Sequence, residues 1–182
     1  MRIIAGKSKG VVLKTPDGLS TRPTADRVKE ALFSIIQFEV LGTVVLDLFA
    51  GSGQLGIEAL SRGAAEAVFI DHSKEACKFI HDNLAKAKLQ DQATVIHGEY
   101  TDFLRRNRKK FGIVFLDPPY AGDFLENSLK IIAEIDILQS GGIIVTERPA
   151  EKDLAVEISG FTRSRDYKYG KTLLTVFRKE RS

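Results

Sequence analysis

The sequence predicts a doubly wound α/β fold on a mostly parallel sheet of seven strands, preceded by an N-terminal β-hairpin extension. Three observations predict it. Short apolar runs alternate with helical patterns from Thr43 to Thr146, a glycine-rich turn follows the first of those runs, and the tail carries two strand-like segments around Gly170. Strands separated by helices at this interval run parallel and are covered on both faces.

The opening, Arg2-Ile3-Ile4-Ala5-Gly6 and Gly10-Val11-Val12-Leu13, reads as two short strands around a turn. A Pro/Gly/Ser-rich loop follows. Val28, Ala31, Leu32 and Ile35 then mark one face of a helix for which Thr24 is a candidate N-cap. Next come a strand at 44–46, a helix at 55–61, a strand at 67–70, a helix at 74–88 and a strand at 94–96. A short helix at 101–106, a strand at 113–116, a helix at 125–135 and a strand at 143–146 complete the alternation. The segments 161–167 and 172–177 form an antiparallel pair joined across Gly170.

A length of 182 residues fits one domain, and 43% hydrophobic with 28% charged residues is an ordinary globular composition. No apolar run approaches the roughly 20 residues a bilayer span requires, and the first ten residues lack a secretory pattern, so a cytoplasmic, membrane-free protein is expected. The single Cys77 excludes an internal disulfide, and His72, His81 and His97 have no metal-ligand spacing, so no metal is expected. Net charge is +3, but the cations cluster: Arg2 to Lys14, Arg105 to Lys110, and Arg163 to Arg181. Each run alone reads as a solvated element end; together they favour a polyanionic partner.

In such a sheet, ligands bind beyond the carboxyl ends of the strands. After the first strand stands Asp47-Leu48-Phe49-Ala50-Gly51-Ser52-Gly53-Gln54-Leu55-Gly56. Its glycines keep the G-x-G-x-x-G spacing that lets backbone and ligand approach closely, although a purely structural turn would use the same residues. Asp71, about 20 residues on, closes the second strand where a carboxylate can accept both hydrogens of a ribose diol. Asp47 narrows the ligand further. A carboxylate there repels a pyrophosphate but suits the ammonium of an amino-acid moiety, which S-adenosylmethionine carries; simple capping of the turn is the competing reading.

The fourth strand ends in Asp117-Pro118-Pro119-Tyr120. An aromatic amine is a poor nucleophile because its lone pair is delocalised into the ring. The Asp117 carboxylate and the Pro118 carbonyl can accept its two N–H hydrogens, and the carboxylate stabilises charge that develops on methyl transfer. Two prolines fix the backbone bearing these acceptors, and Tyr120 can stack on a base for roughly 1–3 kcal/mol.

With these motifs, the chain resembles the amino-methyltransferases of the class I S-adenosylmethionine-dependent group. Arg2-Ile3-Ile4-Ala5-Gly6 and Thr21-Arg22-Pro23-Thr24-Ala25-Asp26-Arg27-Val28-Lys29-Glu30-Ala31-Leu32-Phe33 make it look, over nearly its whole length, like the bacterial 16S ribosomal RNA guanine-N2 methyltransferases. The resemblance implies a Rossmann-like fold over residues 1–182, with 1–20 as the hairpin extension and 21–182 as the catalytic core. It implies N2 methylation of a guanine in small-subunit RNA on a partly assembled particle, by an expected monomer. Carried over, Asp117, Pro118, Pro119 and Tyr120 are catalytic or base-holding. Asp47, Phe49, Ala50, Gly51, Ser52, Gly53 and Asp71 bind S-adenosylmethionine, Arg22 and Thr24 border the same cleft, and Glu99 stands where adenine is contacted. Val11 and Val12 depart from a usually basic hairpin, and Lys171 from a usual Asp. A DNA adenine-N6 methyltransferase and a non-catalytic RNA-binding assembly factor are the alternatives.

Overall fold

The computed structural model describes residues 1–16 and 23–181, with the backbone alone for Pro23 and Thr24. Eight strands build one sheet: β1 (Val44–Asp47), β2 (Glu66–Asp71), β3 (Ala93–His97), β4 (Phe111–Leu116), β5 (Leu138–Pro149), β6 (Phe161–Arg163), β7 (Tyr167–Tyr169) and β8 (Thr172–Lys179). The order is β3-β2-β1-β4-β5-β8-β6, with β7 also paired to β8. Strands β1 to β5 run parallel, and β8 returns antiparallel along β5. The helices are α1 (Pro23–Ile35), α2 (Gln54–Ser61), α3 (Lys74–Ala87), α4 (Tyr100–Arg106) and α5 (Phe124–Ile135).

Strand alternation assigns the two faces. Val45, Phe69, Phe115 and Val145 point to one side, where Leu32 and Phe33 of α1, Leu60 of α2 and Ile80 and Leu84 of α3 close the core. Leu46, Val68, Val114 and Ile144 point to the other, under Leu104 of α4 and Leu129 and Ile132 of α5. The helix ends follow local chemistry. The Ser73 hydroxyl accepts from the Ala76 amide at 3.2 Å to start α3, and Lys88, at φ 58°, ends it.

Three expectations need correction. The segment 161–167 is not one strand: β6 pairs with the far half of β8 and β7 with its near half, so eight strands fill seven positions. Between them Ser164 turns its hydroxyl to the Val176 amide at 2.9 Å, and Asp166 reaches the buried Arg148 at 2.7 Å, which diverts the chain. The fifth strand extends well beyond 143–146, because a register shift between Phe111 and Ile113 lets Leu138 join the ladder ahead of it. Helix α1 begins at Pro23, which places Thr24 inside its first turn instead of ahead of it; the Thr24 side chain lies outside the described residues.

The N-terminal hairpin is present as two extended segments joined by Ile3 N to Val11 O and Leu13 N to Met1 O, both 2.9 Å, with one bridge pair, Arg2 and Val12. It packs along the groove between α2 and α3. The Lys7 amide donates to Ser61 O at 2.8 Å, and the Ser8 hydroxyl to Ala87 O at 2.9 Å. Glu58 of α2, wholly buried, accepts from the amides of Ile4 (2.9 Å) and Ala5 (3.0 Å). A buried carboxylate needs compensation. Lys29 at 3.4 Å and Arg62 at 2.9 Å supply it; burial lowers the Lys29 pKa, while Glu58 acts in the opposite direction.

Candidate active site

The period of two that builds the core also places the acids. Asp47 continues the row begun by Val45, and it pairs with Phe69 on one side and Phe115 on the other. Asp71 and Asp117 stand two residues beyond those partners on the same face, so each projects roughly 6–7 Å past Asp47. Leu116 pairs with Thr146, which sets Asp117 beside Glu147 at the ends of β4 and β5. Four adjacent strands thus carry four carboxylates toward their carboxyl ends. Asp47, Asp117, Glu147 and Tyr120 line one cleft of about 550 Å³, together with Gly51, Ser52 and Gln54 of the glycine turn. Asp71 opens into a smaller adjoining cavity with Phe49, Glu99 and Pro119.

The turn between β1 and α2 is held from three sides. The Ala50 amide donates to Ile70 O at 3.0 Å, and the Gly51 amide to Asp71 Oδ2 at 2.8 Å. Gly51 and Gly53 have φ of 57° and 82°, a region that costs other residues dearly. The third glycine serves packing: a Cβ on Gly56 would sit 2.3 Å from the Phe69 ring. Beneath the turn, the Asn83 side-chain nitrogen of α3 donates to Ser52 O and to Lys14 O, both at 2.9 Å, and its oxygen accepts from the Lys14 amide at 2.7 Å. One buried amide therefore fastens the glycine turn to the hairpin.

Burial dominates the electrostatics. It pushes Asp47 up to about 7, helped by the charges of Asp117 and Asp71, although the Gly56 amide, 3.0 Å from its Oδ2, partly offsets this. Burial likewise pushes Asp117 up to about 7. Glu147 lies well above the usual carboxylate range through burial and the neighbouring Asp117. The oxygen Oε1 of Gln54 is buried without a partner among the described residues. Under-compensated carboxylates and an orphaned amide oxygen fit a cationic ligand with N–H donors and oppose a pyrophosphate. The chemistry of this donor set thus fits S-adenosylmethionine, which carries an ammonium and no phosphate.

The structure brings together most of the residues singled out above. Asp47, Phe49, Ala50, Gly51, Ser52, Asp117 and Tyr120 share the main cleft. Gly53 starts α2, Pro118 is buried, and Tyr120 is 59% exposed, free to meet an incoming ring. Asp47 does bond the following helix turn through one oxygen, so the capping reading describes part of its role. Phe49, Tyr100 and Phe124 form an aromatic cluster with centroids 5.0–6.2 Å apart beside Asp71. Glu99 precedes α4 without a side-chain capping bond and lines the smaller cavity. Arg22 lies outside the described residues, as does the Thr24 side chain.

Two residues escaped the reading of the sequence. Glu147 follows the fifth strand's apolar run in the position that rule would have examined, but no motif surrounds it. Asn83 gave no signal, since its partners are remote in the chain. The basic runs also divide. Lys109 pairs with Glu66, and Lys110 with Asp136, at the amino end of β4, opposite the cleft. Arg178 pairs with Glu39. His72, His81 and His97 are exposed and Cys77 is buried. Among the described residues no group of three His, Cys, Asp or Glu could hold a metal ion, and no helix is long and apolar enough to cross a membrane.

Residues 1–178 match the family described as Conserved hypothetical protein 95. The chain is 33% identical over 180 residues to ribosomal RNA small subunit methyltransferase D of Escherichia coli, covering 99% of this chain and 90% of that protein. The protein of the same name from Haemophilus influenzae is 38% identical over 157 residues, covering 85% and 81%. The solved structure of the Escherichia coli protein yhhF superposes with a TM-score of 0.89 at 34% identity, covering 100% of this chain and 99% of that one.

Proposed function

The chain belongs to the family described as Conserved hypothetical protein 95, and from that premise we propose that this S-adenosylmethionine-dependent rRNA methyltransferase modifies the exocyclic N2 of a guanine in small-subunit RNA. The observation that carries the reading is the row of strand-tip carboxylates, with Asp117 and Tyr120 set beside the glycine turn in one cleft. Asp47, Asp71, Gly51, Ser52 and Gln54, with Phe49, Ala50, Gly53 and Glu99 around them, would hold the methyl donor; Arg22 and Thr24 are proposed to border it. When bound, the donor supplies an electrophilic methyl on a sulfonium. Asp117 accepts one hydrogen of the base amine and the Pro118 carbonyl the other, which aims the nitrogen lone pair away from the ring plane. The Asp117 carboxylate then offsets the positive charge that grows on that nitrogen, which loses one proton to water after the transfer. Tyr120, largely exposed, stacks on a base drawn out of its helix.

The proposed substrate is a partly assembled small-subunit particle in the cytoplasm, met by a monomer. The hairpin supplies Met1 and Thr15 to the cleft rim, and selection would fall to a preformed RNA and protein shape. Labelled methyl donor incubated with naked 16S RNA, small-subunit particles and duplex DNA tests this directly. Digestion to nucleosides should yield N2-methylguanosine from the particles; N6-methyladenosine, or label in the DNA alone, would refute it.

A further inference from the structure

We infer that Glu147 reads the base as guanine: its carboxylate accepts the N1–H that lies beside the amine held by Asp117 and Pro118. The inference rests on the guanine reading above and adds to it the residue that sets base identity. Register fixes the placement, since the Leu116–Thr146 pair puts the next residues, Asp117 and Glu147, side by side. Alternation fixes the direction. Both continue rows, Phe115 and Val145, that face the same core, and both line the same cleft with Tyr120.

The surroundings leave the pair for a ligand. The adjacent Arg148 is committed to Asp166 at 2.7 Å and to Thr175 at 2.6 Å, and Lys152 to Gly122 O at 2.7 Å. Among the described residues, no cation pairs with Asp117 or Glu147 within 4.0 Å. Burial, and after it the neighbouring Asp117, lift Glu147 well above its ordinary range, so a donor ligand that compensates the pair is needed to hold its carboxylate ionised. Guanine offers the complement: its N1–H and N2–H donors form one edge that matches two adjacent acceptors. Adenine and 2,6-diaminopurine present a bare N1 lone pair there, which a carboxylate repels. A site built around an N–H donor rejects an analogue lacking it far more strongly than an apolar pocket rejects a methylene.

The test uses the full chain and small-subunit RNA ligated to carry either guanine or 2,6-diaminopurine at the mapped target, since both bases keep the 2-amino group. Wild type should favour guanine by on the order of 100-fold or more in kcat/KM. Glu147→Gln, whose amide can turn its NH2 toward a bare N1, should narrow or invert that ratio, and Glu147→Ala should lose it. Melting with and without S-adenosylhomocysteine confirms that each variant folds and keeps the donor site. An unchanged ratio in folded, active variants overturns the inference while leaving guanine methylation standing. Equal wild-type rates on the two bases, or a wild-type preference for diaminopurine through a protonated Glu147, overturn it even if the variants do not fold. Failure of wild type to methylate guanine at all would instead bring down the reading on which it rests.

Discussion

The side-chain nitrogen of Asn83 lies 2.9 Å from the carbonyl oxygen of Ser52, so the core of α3 grips the glycine turn. The same nitrogen holds Lys14 O at 2.9 Å, and the residue is fully buried. Asn83→Ala leaves backbone groups of both segments unpaired, a loss of roughly 2–4 kcal/mol in urea unfolding. S-adenosylhomocysteine affinity, measured by calorimetry, should fall with it, because the turn loses its support.

Asp117→Ala should lower turnover by on the order of 10²–10³-fold, the usual effect of removing one electrostatic stabiliser of a transition state. S-adenosylhomocysteine should bind the variant nearly as before. Single-turnover kinetics with saturating donor make the comparison, and near-normal turnover would remove Asp117 from the mechanism.

Stability of the ligand-free protein should fall as pH rises from about 4 to about 7. Asp47 has an ordinary pKa of 3.8 and a folded value near 7, so between those limits the folded state retains a proton that the unfolded chain releases, and rising pH favours unfolding. Asp117 acts in the same direction. Among the described residues, the groups facing Asp47 are Asp117 and Asp71, and those around Asp117 include Glu147 and Tyr120, none of them a cation. Thermal melting across this range should show the decline, and Asp47→Asn should make it shallower, with Asp117 left to carry the remainder. Methyl transfer should climb over the same interval as Asp117 ionises.

Tyr120→Ala should raise KM for the RNA substrate about tenfold or more, given the energy of a stacked base, with little change in donor binding. Tyr120→Phe should behave like wild type. A large effect of the phenylalanine variant would mean that the hydroxyl, not the ring, is what matters.

Charge reversal of Arg105 and Arg108 should leave methylation unchanged. Both belong to the run whose neighbours Lys109 and Lys110 pair with Glu66 and Asp136 at the end of the sheet away from the cleft. Salt titration of RNA binding should return the same slope for the double variant as for wild type.

The alternating order of strands and helices was readable because each apolar run is short and bounded by turn residues. The strand-tip rule then located Asp47, Asp71 and Asp117 without coordinates. Contacts between distant segments were not readable. Asn83 sits in an amphipathic helix like any buried polar residue, and Glu58 resembles a surface acid until Ile4 and Ala5 are seen to donate to it. The break between β6 and β7 depends on Arg148, a residue on another strand, and no local pattern announces it. Glu147 lay between these extremes, for the rule reached its position while only strand register supplied its neighbour.

The hairpin's seat between α2 and α3 bears on the order in which the molecule assembles. Residues 3 to 14 bond to Glu58, Ser61, Asn83 and Ala87, all of which are synthesised later. A nascent chain therefore carries this segment only partly anchored, through α1 and α2, until α3 has emerged. Met1 and Thr15 reach the cleft only through that docking, which makes the mouth of the site one of its last parts to take shape.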